Sequence, residues 1–427
     1  MLRTLLASLL ISWGSVALAQ SQPAASAVPA SAPAVGSRPI NKAIGAQEAA
    51  AAKAELAAGM NFLMSQRLPD GGWGFDKEHG HVGLTSMVLK VLLGEGLTTK
   101  DPDVAKGFAA LMTHRRSDGG FYDEKEGNQN YNTSLAVMAL AAANDPAFKD
   151  ALEGATKYLR GEQIVPGSKT PSGEAVDENN PWVGGVSYGQ HGRPDLSNVG
   201  MWMEAMHDAG VTGSDPAMQR ALGFVERLQN NPKPDNESFA PRREEDRLLG
   251  GPAAAPGPQN PNFVLNGEGD GGFVYAIVFK DGKYVGQSYA GESDQGLRSY
   301  GSMTYTGFKS MLYANVARTD PRVKAAIEWI GRHWRLDSNP NMPEKQSLQG
   351  LYYYYQVFGK SMRAWGQDEI VDSKGIKHNW RNELIGALKE RQKEDGSWNN
   401  EADRWMEGSP VLVTAYCLSA LQDAMTP

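Results

Sequence analysis

The sequence predicts an all-α fold built from one helical pair used over and over, and three observations carry that prediction. A tight acidic glycine loop recurs, as Asp70-Gly71-Gly72-Trp73, Asp118-Gly119-Gly120-Phe121, Asp270-Gly271-Gly272-Phe273 and Asp395-Gly396-Ser397-Trp398. Most copies follow a helical stretch with a polar end, such as Ala387-Leu388-Lys389-Glu390-Arg391-Gln392. They precede a more apolar helix opened by Ser, Thr or Asn, such as Asn132-Thr133-Ser134-Leu135-Ala136-Val137. Finally, Asp-Pro recurs at Asp101-Pro102, Asp145-Pro146, Asp215-Pro216 and Asp320-Pro321, where aspartate caps a new helix and proline fits its first turn.

In chain order these marks give six pairs, at about 53–101, 102–145, 146–215, 216–320, 321–368 and 371–425. The second helices begin near Leu84, Tyr131, Leu196, Met303, Ser347 and Pro410. A single pair exposes an apolar face, so neighbours must stack to bury it. Periodicity alone supports an array of pairs, either closed into a ring with the second helices inside or left open as a solenoid. Two insertions interrupt the array, at about 164–186 and about 230–299. In the second, residues 275–280 and 283–289 flank Asp281-Gly282, the signature of a β-hairpin. The insertion is expected to serve as a lid, a protein-docking arm or decoration.

The ends read differently. Residues 1–19 match a secretory signal: Arg3, an apolar run, then Ala17-Leu18-Ala19 before Gln20. Residues 20–43, rich in Ala, Pro and Ser, read as a linker, and 44–427 as the helical domain. The protein is therefore expected to be exported, periplasmic or extracellular, with no transmembrane segment once the signal is removed. The formal charge is −7 with no basic stripe, which argues against a nucleic-acid partner. Cys417 is the only cysteine, so no internal disulfide forms, and its apolar setting marks a buried thiol.

The Gln-(x)-Asp-Gly-Gly/Ser-Trp/Phe cassette resembles the repeats of squalene–hopene cyclases and protein prenyltransferase β subunits over nearly all of residues 50–425. The resemblance implies an α/α toroid of six helical hairpins, with the glycine loops and inner-helix starts around the mouth of one central cavity. The chemistry of those families does not carry over. The Asp-x-Asp-Asp acid of class II terpene cyclases is absent, and the inner helix of unit four starts Tyr300-Gly301-Ser302-Met303-Thr304-Tyr305. Val413 stands where the prenyltransferases place their zinc histidine, and Cys417 matches a position that is not a ligand there. Neither metal nor cofactor is expected.

In a toroid, the residues at the starts of the inner helices converge. Asp195 and Glu407 are the candidate catalytic carboxylates. Tyr131, Tyr188, His191, Asn198, Tyr300, Tyr305, Tyr353, Arg404 and Trp405 are the candidate ligand-binding residues. A lining that mixes aromatics, amides and acids suits an amphipathic ligand, such as an isoprenoid with a head group, or a sugar polymer. Plainer roles stand beside these: Asp195 as a helix cap, Arg404 and Glu407 as a loop brace, and His79 with His81 as loop histidines. Units three and six face each other across a six-fold ring, roughly 20 Å apart between helix axes, too far for Asp195 and Glu407 to share a proton. The leading expectation is an exported toroid that binds an isoprenoid or other amphipathic ligand in its central cavity, with acid–base transformation of that ligand left open. Its rivals are a non-enzymatic binding or assembly module and a polysaccharide lyase or hydrolase.

Overall fold

Each glycine loop joins an outer helix to an inner one and, at the same time, docks on the next unit. In the computed structural model, which describes residues 39–189, 192–231, 263 and 265–427, the loop aspartate folds back onto its own turn. Asp70, Asp118, Asp270 and Asp395 each accept a hydrogen bond from the amide two residues on, at 2.9–3.0 Å. The following aromatic residue donates its amide to a threonine hydroxyl on the inner helix: Trp73 to Thr85, Phe121 to Thr133, Phe273 to Thr304 and Trp398 to Thr414. Aromatic ring and threonine are both fully buried, so one contact satisfies a loop amide and locks the inner helix to its partner.

The described residues contain twelve α-helices: α1 (Ala46–Ser65), α2 (Val82–Gly94), α3 (Pro102–Met112), α4 (Gln129–Ala143), α5 (Lys149–Glu162), α6 (Leu196–Asp208), α7 (Pro216–Arg227), α8 (Gly301–Tyr313), α9 (Pro321–Arg332), α10 (Leu351–Trp365), α11 (Trp380–Lys389) and α12 (Pro410–Met425). Even-numbered helices start close to the expected places. α10 begins at Leu351 rather than near Ser347, because a 3₁₀ turn (Glu344–Gln346) and left-handed Gly350 come first. The even helices are buried almost all round, whereas α3, α5, α7 and α9 bury one face and leave the other wet. Helix α2 packs on α4, α4 on α6, α6 on α8, α8 on α10, α10 on α12, and α12 also on α2. The odd helices lie outside them, α3 on α2, α5 on α4, α7 on α6 and α8, α9 on α8, and α1 on both α11 and α12.

The loop's first glycine explains the docking. A Cβ on Gly71 would meet the Lys106 carbonyl at 2.8 Å, on Gly119 the Gly154 carbonyl at 2.6 Å, and on Gly271 the Ala325 carbonyl at 2.7 Å. On Gly396 it would meet the Ala58 carbonyl at 2.4 Å, so the last unit's loop sits on the first unit's outer helix. Unit three carries a fifth copy, Val183-Gly184-Gly185-Val186, in which Gly184 has φ 87° and its Cβ would lie 1.9 Å from the Arg220 carbonyl. The glutamine before the loop reaches the same neighbour: Gln163 donates to the Ala217 carbonyl, Gln229 to that of Arg322 and Gln392 to that of Glu55. Gly184→Ala is therefore expected to lower stability by about 3 kcal/mol or more, through a left-handed φ and a backbone clash together. Gly282→Ala, also left-handed at φ 77° but in open space, should cost only about 1–2 kcal/mol. Urea midpoints of the two variants check the difference, and equal losses would mean that the docking contact is loose.

Three of the Asp-Pro aspartates cap the next helical segment, Asp145 to Ala147, Asp215 to Ala217 and Asp320 to Arg322. Asp101 turns back instead and accepts from the amide and hydroxyl of Thr98. The expected hairpin is present: β1 (Ala276–Lys280) pairs antiparallel with β2 (Lys283–Gln287) through Asp281 and Gly282, both left-handed. The two insertions meet, since Trp182 Nε1 donates to the Ile277 carbonyl and Asn180 to the Tyr284 hydroxyl. Short pairs β3 (Glu292–Ser293) with β4 (Gly296–Leu297) and β5 (Glu369–Val371) with β6 (Lys377–Asn379) complete the strands among the described residues. The expected signal segment, linker residues 20–38, most of 232–264 and His191 lie outside the described residues. Residues 39–43, assigned to the linker, instead bond to the end of α12, with the Asn41 amide on the Met425 carbonyl at 2.9 Å. No helix among the described residues is long and apolar enough to cross a membrane.

Candidate functional site

The starts of the even helices surround a cavity of about 370 Å³. Its lining follows helical spacing: Leu84 and Met87 from α2, Tyr131 and Leu135 from α4, Leu412 and Tyr416 from α12, with Met303 and Tyr353 from the first turns of α8 and α10. Tyr188, Tyr275, Tyr289 and Tyr300 close the wall from the loops, and Phe75, Trp405 and Met406 form part of the rim. The surface is thus mainly aromatic and thioether, with His81, Asn132, Ser197, Ser302 and Glu407 as polar points. Tyr131 and Tyr188 stack with ring centroids 6.1 Å apart, and Tyr275 and Tyr289 meet at 4.7 Å. Burial pushes the Tyr131, Tyr300 and Tyr353 hydroxyls well above the ordinary phenol range, so these rings stay neutral.

Of the residues read from the sequence, Tyr131, Tyr188, Tyr300, Tyr353, Trp405 and Glu407 line this cavity. Tyr305 does not: it points between α8 and α10, where it packs on Tyr354 and Phe358 at 5.3 and 5.2 Å. It lies two residues beyond Met303 on α8, about 200° round the helix, and so faces the neighbouring helix, which corrects its place in a ligand site to the core. Arg404 stands behind the rim, its guanidinium 4.9 Å from the Tyr289 ring and 4.8 Å from that of Trp405, both cation–π contacts.

The two carboxylates are held by the protein itself. Asp195 caps α6: its Oδ1 accepts from the Ser197 hydroxyl at 2.6 Å and the Asn198 amide at 3.0 Å, and its Oδ2 from Asn198 Nδ2 at 3.0 Å. Asn198 is fully buried and in turn accepts from Asn130, which ties α6 to α4. Glu407 sits at the start of α10, where Oε1 accepts from the Tyr353 amide at 2.7 Å and Oε2 from Asn400 Nδ2 at 2.6 Å. Burial pushes its carboxyl up to about 7, against the pull of the Tyr353, Tyr352 and Leu351 amides and of Asn400. Trp405 and Met406, immediately before it, are both left-handed at φ 58° and 65°, a conformation that costs a non-glycine residue about 1–2 kcal/mol. The loop is fastened by the Gly408 amide on Asp403 Oδ1 and by the Ser409 amide on the Met406 carbonyl. That strain presents two large apolar side chains to the mouth, 39% and 51% exposed, with the Trp405 ring against Gly350.

His81 accepts from the Gly83 and Leu84 amides through Nδ1 and faces Glu126 through Nε2 at 3.2 Å, so it caps α2. His79 is exposed, and no group of three metal-ligating side chains occurs among the described residues. The sequence reading missed Phe75, Met87, Tyr275, Tyr289, Met303, Met406 and Tyr416. Met87 and Tyr416 lie three and four residues beyond Leu84 and Leu412 on their helices, a spacing that finds them once those residues are placed in the lining; the loop residues have no such signal.

No known family's sequence profile matches the chain, and no curated protein matches it. Among solved structures, it is similar to a single-residue variant of the type II terpene cyclase MstE from Scytonema, at 13% identity and TM-score 0.46, over 89% of this chain and 99% of that one. A second MstE variant, solved with its substrate geranylgeranyl dihydroxybenzoate, is 13% identical with TM-score 0.43, over 88% of this chain and 98% of that one. A protein from Actinoplanes is 15% identical with TM-score 0.45, over 88% and 99%. Likenesses at these scores carry nothing about activity.

Proposed function

We propose that the chain is an exported, closed α/α toroid that holds an isoprenoid-like amphipathic ligand in the aromatic cavity at the starts of its even helices. The observation that carries the reading is the wall of seven tyrosines, Trp405 and methionines around about 370 Å³, a volume in the usual range for a small-molecule site. Tyrosine offers an apolar face along the chain of such a ligand and a hydroxyl to its polar end. The return of α12 onto α2 supports closure, and the repeat cassette supports the kinship with cyclase and prenyltransferase toroids. Binding is favoured over acid–base transformation, because every oxygen of Asp195 and Glu407 already accepts a hydrogen bond from the protein.

The test is lipid extraction and mass spectrometry of protein purified without detergent, with geranylgeraniol titrated against intrinsic fluorescence. A co-extracted polyisoprenoid, or saturable quenching weakened at least about tenfold (~1.4 kcal/mol) in Tyr353→Ala, is the expected result. An empty extract together with no saturable response to geranylgeraniol overturns the reading.

A further inference from the structure

Toward the opposite ends of the same six helices lies a second cavity, of about 580 Å³, which adjoins the aromatic one at Met87 and Leu135. It is lined near its mouth by charged side chains from four helices: Lys90 of α2, Glu204 and Asp208 of α6, Lys360 and Arg363 of α10, and Asp423 of α12. The lining itself carries three basic and three acidic groups, and Lys309, outside the lining, adds a fourth base. Glu204 is paired with Lys309 at 2.5 Å and with Lys360, Lys90 with Asp208 at 2.6 Å, and Arg363 with Asp423 at 2.9 Å. Two acceptors in the wall nevertheless have no protein partner. Gln356 Oε1 and Asp423 Oδ2 are both fully covered, on residues only 5% and 6% exposed.

A free anion entering here meets three carboxylates and the carbonyl ends of the even helices, and a free cation meets Lys90, Lys360 and Arg363. A neutral ligand whose groups both donate and accept meets neither penalty. Its hydroxyls take the unused donors of the lysine and arginine heads, and reach the two orphan acceptors once the Gln356 and Asp423 side chains turn toward the cavity. The stacked rings of His207 and Tyr313, 4.2 Å apart, add a flat apolar surface at the same mouth. We infer that this second cavity is a binding site for a neutral polyhydroxylated ligand, a sugar or cyclitol, with Gln356 and Asp423 as its principal acceptors. The inference rests on the polar wall of this cavity, none of whose charged groups lines the aromatic one.

Isothermal titration of the intact protein with glucose, galactose, N-acetylglucosamine, maltose and myo-inositol tests it, with inorganic phosphate and spermidine as charged probes. At least one neutral polyol is expected to bind near one-to-one, and Gln356→Leu to weaken that binding at least about tenfold. Gln356→Leu replaces an unpartnered buried amide with a side chain of similar volume, so its melting temperature should hold or rise. Asp423→Asn, which keeps the shape but alters the second acceptor, provides an independent variant. The assignment is overturned if all five polyols bind more weakly than about 10 mM, if phosphate or spermidine binds more tightly than every polyol, or if both variants leave the affinity unchanged.

Discussion

Glu204→Ala is expected to destabilise the protein by about 3–5 kcal/mol at neutral pH. Glu204 is 2% exposed and faces Lys309 and Lys360, themselves 2% and 8% exposed, so removing it strands two buried ammonium groups. Burial alone would push the Glu204 carboxyl up, but Lys309, Lys360 and Lys90 outweigh it and hold the group well below the ordinary carboxylate range. A carboxyl depressed in the folded state contributes stability that is present above its unfolded value of 4.5 and is lost as pH falls through the folded one. The gap between wild type and variant should therefore be full at pH 6–8 and narrow only in strong acid. Replacing all three members with apolar residues, as Glu204→Leu with Lys309→Met and Lys360→Met, should recover most of the loss, since no charge is then left buried. Denaturant midpoints decide it: a loss below about 1 kcal/mol for Glu204→Ala would mean that water reaches the lysines.

How much of this was legible depends on whether a feature is local in the chain. The loops at Asp70, Asp118, Asp270 and Asp395 were readable because aspartate, glycine and aromatic residue do their work within four positions. The fifth copy was hidden because Val183 stands where the aspartate should be, leaving Gly184 as the only trace of the docking contact. Asp281-Gly282 announced its hairpin for the same local reason, whereas β5 and β6 are three residues each and held by Asp372 over the intervening turn, too short for any periodicity. In the aromatic site, tyrosines at helix starts were foreseen, but Tyr275 and Tyr289 reach it only because the hairpin folds back onto the mouth. The Glu204 cluster draws on positions 90, 204, 309 and 360 and so has no local signature. A trace was there nonetheless: Met201-Trp202-Met203-Glu204-Ala205-Met206 places one acid inside an otherwise apolar buried run, which demands a partner.

The two cavities differ because the two ends of a helix differ. At the starts of the even helices the unpaired groups are N–H donors, and the structure meets them with Asp195, His81, Ser409 and Glu407, leaving the remaining wall aromatic. At the other ends the unpaired groups are carbonyls, and lysines and arginine gather there, paired with Asp208, Asp423 and a Glu204 that several lysines share. The six even helices thus line an apolar site toward their starts and a mixed-charge one toward their ends.

Glu407→Ala separates a brace from a ligand-contacting acid, and the expected outcome is that of a brace. The side chain is fully buried, and its loss leaves the Tyr353 amide and the Asn400 side-chain amide without an acceptor. Each of the two buried orphans costs about 1–3 kcal/mol, so the variant should lose about 2–6 kcal/mol. Glu407→Gln retains one acceptor oxygen and should lose roughly half as much. Because Glu407 anchors the first turn of α10, which carries Tyr353 into the aromatic wall, both variants should also weaken geranylgeraniol binding in the same order as they lose stability. The left-handed backbone at Trp405 and Met406 is held against the same anchor, so Trp405 fluorescence should shift toward that of a solvent-exposed indole in Glu407→Ala. If Glu407→Ala instead keeps its denaturation midpoint within about 0.5 kcal/mol while binding falls tenfold, the carboxyl acts on the ligand directly, and the acid–base role read from the sequence is restored.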